Sequence, residues 1–133
     1  MGKLKSVLLV DDDDTTNFLN KFFIRQVDSS IEINVALNGK EAMDFLVLNG
    51  NDDILPCLLI LDTNMPIMNG WEFLADFDKK FDGDFKKNVT IVMLTSLDID
   101  HSVRKAIENP NVTDTAQKPL SDLKFRALIN KHF

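Results

Sequence analysis

The chain has 133 residues, 44% of them hydrophobic, which suits one globular domain able to bury a real core. A formal net charge of −6 and a pI near 4.8 argue against direct binding of nucleic acid, whose phosphates need a basic face. Cys57 is the only cysteine and cannot close an internal disulfide, and no apolar run nears the ~20 residues of a membrane span.

The expected setting is therefore a reducing cytoplasm, without membrane contact, and core packing is the expected role of Cys57. Residues 1–6 match the loose myristoylation pattern but read as a lead-in to a strand. Asn88-Val89-Thr90 and Asn111-Val112-Thr113 match the glycosylation sequon, yet both lead into expected strands.

Strand and helix alternate five times along the chain. Residues 6–10 form an apolar first strand that runs into four aspartates. Asp14 or Thr15 can cap a helix to about Gln26, with Phe18, Leu19, Phe22, Phe23 and Val27 as its apolar face. Residues 31–37 alternate as a second strand, and Asn38-Gly39 turns into a helix over 40–48 with Ala42, Phe45 and Leu46 inward. A polar loop over 49–56 precedes the short, wholly apolar third strand, 58–61.

Asn69 and Gly70 introduce a third helix, in which Phe73, Leu74, Phe77 and Phe81 recur at helical spacing. Residues 82–88 read as a charged loop, longer than a tight connection needs. The fourth strand spans 89–94, and a helix over 98–108 ends at Asn109-Pro110, because the residue before a proline is biased away from helix. Residues 112–117 make a polar fifth strand, and Ser121 caps a last helix. Such alternation predicts an α/β fold: a doubly wound, five-stranded parallel sheet with helices on both faces, flavodoxin-like, strand order 2-1-3-4-5. The whole chain, 1–133, is expected to be one domain.

In such a sheet the carboxyl ends of the strands share one edge, where open α/β sheets bind ligands. Asp11 and Asp12 follow the first strand, Asp62 the third, Thr95 and Ser96 the fourth, and Lys118 the fifth. Taken alone, Asp62 reads as the start of a turn before Pro66, and the four consecutive aspartates as a solvated run favouring a helix N-terminus. Those readings leave the common edge of Asp62, Thr95 and Lys118 unexplained. Three clustered carboxylates repel one another, and a hard divalent cation relieves the repulsion through oxygen ligands. A lysine and a threonine hydroxyl beside it can stabilise a phosphoryl group, leaving Asp62 free to act as a carboxylate nucleophile.

The segments carrying these residues are VLLVDD at 7–12, LLILDTNMPIMNG at 58–70, VMLTS at 92–96 and QKP at 117–119. In this order they give a sequence that resembles, over essentially its whole length, the receiver domain of two-component response regulators. The resemblance implies that Asp62 accepts a phosphoryl group from a sensor histidine kinase or a histidine phosphotransfer protein, without the chain being an enzyme in the usual sense. It implies Mg2+ (or Mn2+) held by Asp12 and Asp62, by Asp11 mostly through water, and by the Asn64 backbone carbonyl. Thr95 would bind the phosphoryl group, Lys118 would ion-pair with it, and Lys118–Pro119 would be a cis peptide.

The switch positions implied are Thr95, Ser96 and Thr115. The family commonly carries an aromatic residue where this chain has Thr115, and the chain has no tyrosine. Rearrangement is accordingly expected over 96–100 and the start of the fourth helix, with Leu97 and Ile99 repacking. The face of the fourth helix, fifth strand and last helix would then bind a downstream protein that the sequence does not identify, Val103 and Ile107 forming a docking stripe. The expected last helix ends at Phe133, which reads as a stand-alone regulator.

Two other readings stay open on sequence. Asp11–Thr15 fits the D-x-D-x-T motif of haloacid-dehalogenase-type Mg-dependent phosphohydrolases, with Asp11 as nucleophile, although no acidic pair follows Lys118. A receiver fold used only as a non-phosphorylated docking module is the other, against which the complete acidic pocket weighs. Flavodoxin-like nucleotide binding lacks the glycine-rich loop it would need after the first strand.

Overall fold

A computed structural model describes residues 3–95 and 100–133. Ser96, Leu97 and Ile99 lie outside the described residues. The elements run β1 (Ser6–Val10), α1 (Asp14–Val27), β2 (Glu32–Ala36), α2 (Gly39–Asn49), β3 (Cys57–Leu61), α3 (Gly70–Lys80), α4 (Gly83–Lys87), β4 (Val89–Thr95), α5 (Asp100–Glu108), β5 (Asp114–Gln117) and α6 (Asp122–His132). The five strands form one parallel sheet in the order β2-β1-β3-β4-β5, as the alternation predicts.

Strand side chains alternate between faces, and the core is split accordingly. Leu8, Val10, Leu59, Leu61, Ile91 and Met93 pack with α2, α3 and Ala106 of α5. Val7, Leu9, Leu58, Ile60, Val92 and Leu94 pack with Ile24 of α1 and with Phe125 and Leu128 of α6. Strands β1 and β3 are buried throughout, which is why residues 7–10 and 57–61 read as unbroken apolar runs. Cys57 belongs to the first core, and burial pushes its thiol pKa up to about 11, so it packs as a small hydrophobe.

Three expectations are corrected. Residues 82–88 are not all loop: Asp82 caps the short helix α4 by accepting the Phe85 N–H, and Phe85 stacks on Phe81 with ring centroids 4.3 Å apart. The fourth and fifth helices expected from sequence are therefore α5 and α6. The cap of α1 is Asp13, not Asp14 or Thr15; its carboxylate accepts the Thr16 N–H at 2.9 Å. The stripe of α1 also faces differently. Phe18, Leu19 and Phe22 are 70%, 45% and 53% exposed, while Asn17, Asn20 and Ile24 are buried. The inward stripe still has helical spacing, but two of its three members are amides.

Candidate functional site

Register places the polar residues. Val10 pairs with Leu61, so Asp11 and Asp62 leave neighbouring strands at the same level, and the Asp62 N–H donates to the Val10 carbonyl at 2.9 Å. Thr95 pairs with Gln117, and the Lys118 N–H donates to the Thr95 carbonyl at 2.7 Å, which brings the ends of β4 and β5 to the same edge. The Lys118–Pro119 peptide is cis, as is Leu55–Pro56.

The loop after Asp62 is tightly fixed. Gly70 opens α3 with its N–H on the Thr63 carbonyl at 3.0 Å, and any Cβ there would run into the Asp62 carbonyl. Asn69 and Glu72 cap the helix reciprocally. Met68 donates its N–H to the Pro66 carbonyl and accepts the Gly39 N–H at 2.8 Å, clamping the loop onto α2. Ile67, between them, has a positive φ of 69°, a strained conformation for a β-branched side chain.

Carboxylate oxygens of Asp11, Asp12 and Asp62 lie within 4.8 Å of one another. Asp11 and Asp62 are buried and Asp12 is exposed, so the cluster opens to solvent on the Asp12 side. Burial is the main cause that raises the Asp11 pKa; Asp62 and Asp12 add to it, against the lowering hydrogen bond from the Asp13 N–H. Lys118 reaches Asp62 Oδ1 with its ammonium at 2.5 Å, the lysine partly exposed and the aspartate buried. The Asp62 Oδ1 also accepts the Thr63 N–H at 2.9 Å. Oxygen donors of this number and kind suit a hard divalent cation, with the exposed side free for waters and a phosphoryl oxygen.

Of the residues named from sequence, Asp11, Asp12, Asp62 and Lys118 come together. Thr95 sits on the same edge and is buried, but its hydroxyl points to the Ala116 carbonyl at a long 3.4 Å. Asn64 is exposed in the loop after Asp62. Thr115 is half-buried on β5, its N–H donating to the Asp114 side chain at 2.8 Å.

Sequence reasoning missed Asn17, whose Nδ2 donates to the Asp11 carbonyl at 2.8 Å. The signal was present, since Asn17, Asn20 and Ile24 share helical spacing, but the phenylalanines of the same helix outweighed it. Beside Lys118, a slot of about 120 Å³ lies between α1 and the segment after β5, lined by Leu19, Phe23, Leu94 and Pro119 among others.

Residues 7–130 match the family described as response regulator receiver domain. The crystal structure of a two-component response regulator from Cytophaga hutchinsonii is 32% identical, with a TM-score of 0.83 and 98% of each chain covered. The two-component response regulator ARR22 of Arabidopsis thaliana is 29% identical over 131 residues, 98% of this chain and 85% of that one. The chemotaxis response regulator CheY4 of Vibrio cholerae shares the fold, with a TM-score of 0.77 at 22% identity over 98% of this chain and 100% of that one.

Proposed function

The chain belongs to the response regulator receiver domain family, and on that premise we propose that it is a phosphorylation-driven switch with Asp62 as phosphoacceptor. The observation that carries the reading is the Lys118 ammonium at 2.5 Å from Asp62, beside carboxylates within 4.8 Å of one another. Membership of this family also takes precedence over the phosphohydrolase reading of Asp11–Thr15.

In this reading an Asp62 carboxylate oxygen attacks the phosphorus of a phosphohistidine or acyl phosphate. The new O–P bond replaces the donor's N–P or O–P bond, whose electron pair leaves with the donor group. Asp11, Asp12, Asp62 and the Asn64 carbonyl would hold Mg2+ (or Mn2+), which when bound neutralises charge on the phosphoryl oxygens. Lys118 already faces Asp62 and exchanges its carboxylate partner for a phosphoryl oxygen. Thr95 gives up a long hydrogen bond to Ala116 and donates to the same group, so its turn toward Asp62 sacrifices little. The aspartyl phosphate then favours whichever conformer contacts it better.

Leu19, which lines the slot beside Lys118, and the exposed Phe18 and Phe22 of the same helix offer apolar contact to a kinase or phosphotransfer protein delivering its phosphohistidine. Ile107 of α5, 68% exposed, with half-buried Val103, offers a separate contact for a downstream protein.

Incubation with acetyl phosphate and Mg2+ should add one phosphoryl group to the intact protein, stable in acid and released by hydroxylamine. The reading fails if Asp62→Asn is labelled as fully as the parent.

A further inference from the structure

We propose that Asn17 is a positioning residue, holding the Asp11–Asp12 peptide so that both carboxylates are aimed into the pocket. The proposal rests on the reading of that pocket as a divalent-cation site.

Asn17 is 4% exposed and lies on the inward stripe of α1, where hydrocarbon would be the ordinary choice. Its two amide ends are treated differently. Nδ2 donates to the Asp11 carbonyl at 2.8 Å, across the junction between the end of β1 and α1. Oδ1 is buried, and among the described residues it has no hydrogen-bond partner. A buried acceptor left unpaired weakens a fold, so a hydrocarbon side chain would suit the core better than this amide. The Nδ2 end supplies the reason for an asparagine.

The carbonyl it holds belongs to the peptide that joins Asp11 to Asp12. Fixing that carbonyl fixes the peptide plane, and with it the directions in which the two side chains leave the end of β1. The Asp11 carboxylate has a further restraint, because its Oδ1 accepts the Asp13 N–H at 3.0 Å. The Asp12 carboxylate stands exposed, so its aim follows the peptide plane. Groups that orient metal ligands in this way commonly matter to affinity about tenfold or more when removed.

The test compares Mn2+ binding by the parent, Asn17→Leu and Ile24→Val, followed by titration calorimetry or by the spin resonance of free Mn2+. Ile24 is buried on the same stripe, seven residues further along α1 and within the hydrophobic core, so its variant reports general loosening of α1. The expectation is a dissociation constant about tenfold higher for Asn17→Leu without a matching fall in melting temperature. Ile24→Val should melt lower and bind Mn2+ like the parent.

In the metal-free protein, hydrogen exchange at the Asp12 and Asp13 amides should be faster in Asn17→Leu, a readout that needs no cation. If Asn17→Leu does not fold, Asn17→Ala carries the same expectations. Parent-like Mn2+ affinity in a folded Asn17 variant overturns the assignment. A parent that binds no Mn2+ overturns the reading of the pocket, and the assignment with it.

Discussion

The ammonium of Lys105 on α5 lies 4.3 Å from the centre of the Trp71 ring at the start of α3. That cation–π contact ties the helix expected to move on activation to the helix anchored beside Asp62. Trp71 is the only tryptophan in the chain, so its fluorescence reports on α5 directly. Adding beryllofluoride and Mg2+ should change its emission, and Lys105→Ala should remove most of the change while costing about 0.5–1 kcal/mol of stability. Emission that ignores beryllofluoride would mean α5 keeps its place over Trp71.

The phosphoryl group should be read through α5 more than through β5. Thr115 is too small to fill the space a turning Thr95 would vacate, as a ring at that position would. Backbone amide shifts between free and beryllofluoride-bound protein should therefore be larger over 103–107 than over 114–117. Strong shifts at Thr115 with a still α5 would show that β5 relays the signal after all.

Magnesium should stabilise the fold by mass action, since the clustered carboxylates repel one another without it. At ten times the dissociation constant the gain is about 1.4 kcal/mol, a rise of roughly 5 °C in melting temperature for a domain of this size. Asp12→Ala should abolish the rise. An Mg2+ response that survives in that variant would place the cation elsewhere.

The acid limb of stability should involve Asp114 of β5, whose Oδ2 lies 3.0 Å from His132 Nε2 and 3.1 Å from the Lys131 ammonium. Burial pushes its pKa up, but hydrogen bonds from His132, Lys131 and the Thr115 N–H outweigh this and hold it below its ordinary 3.8. A carboxylate with a depressed folded pKa stabilises above its unfolded value, and the contribution fades as pH falls through the folded one. Asp114→Asn should cost roughly 1 kcal/mol near neutrality. The deficit should hold down to about pH 4 and shrink only below 3.8, as the folded carboxylate protonates. A deficit that is unchanged well below that pH would mean the ion pairs contribute nothing.

Much of this was legible in the chain itself. Runs such as 57–61 are apolar at every position because both faces of the strand are covered, and each ends on a polar residue where the sheet ends. The common level of Asp11 and Asp62 follows from pairing Val10 with Leu61, which parallel order alone suggests. The α4 segment hid because five residues with three charges show no helical stripe; Asp82 as a cap and Phe85 were its signals. Helix α1 misled for a different reason. Phe18, Leu19 and Phe22 point outward, while its inner face gives two positions to amides, one of which secures the Asp11 carbonyl. Hydrophobic periodicity assumes that the core is the only demand on a helix, and next to the acidic pocket it is not.

Chemical mapping of the phosphorylated residue shows whether Asp62 is the nucleophile. Protein phosphorylated with acetyl phosphate and Mg2+ is treated with borohydride, which reduces an aspartyl phosphate to homoserine, and the peptides are sequenced by mass spectrometry. Homoserine should replace Asp62 alone, with Asp11 and Asp12 intact. Reduction at Asp11 with Asp62 unchanged would contradict it.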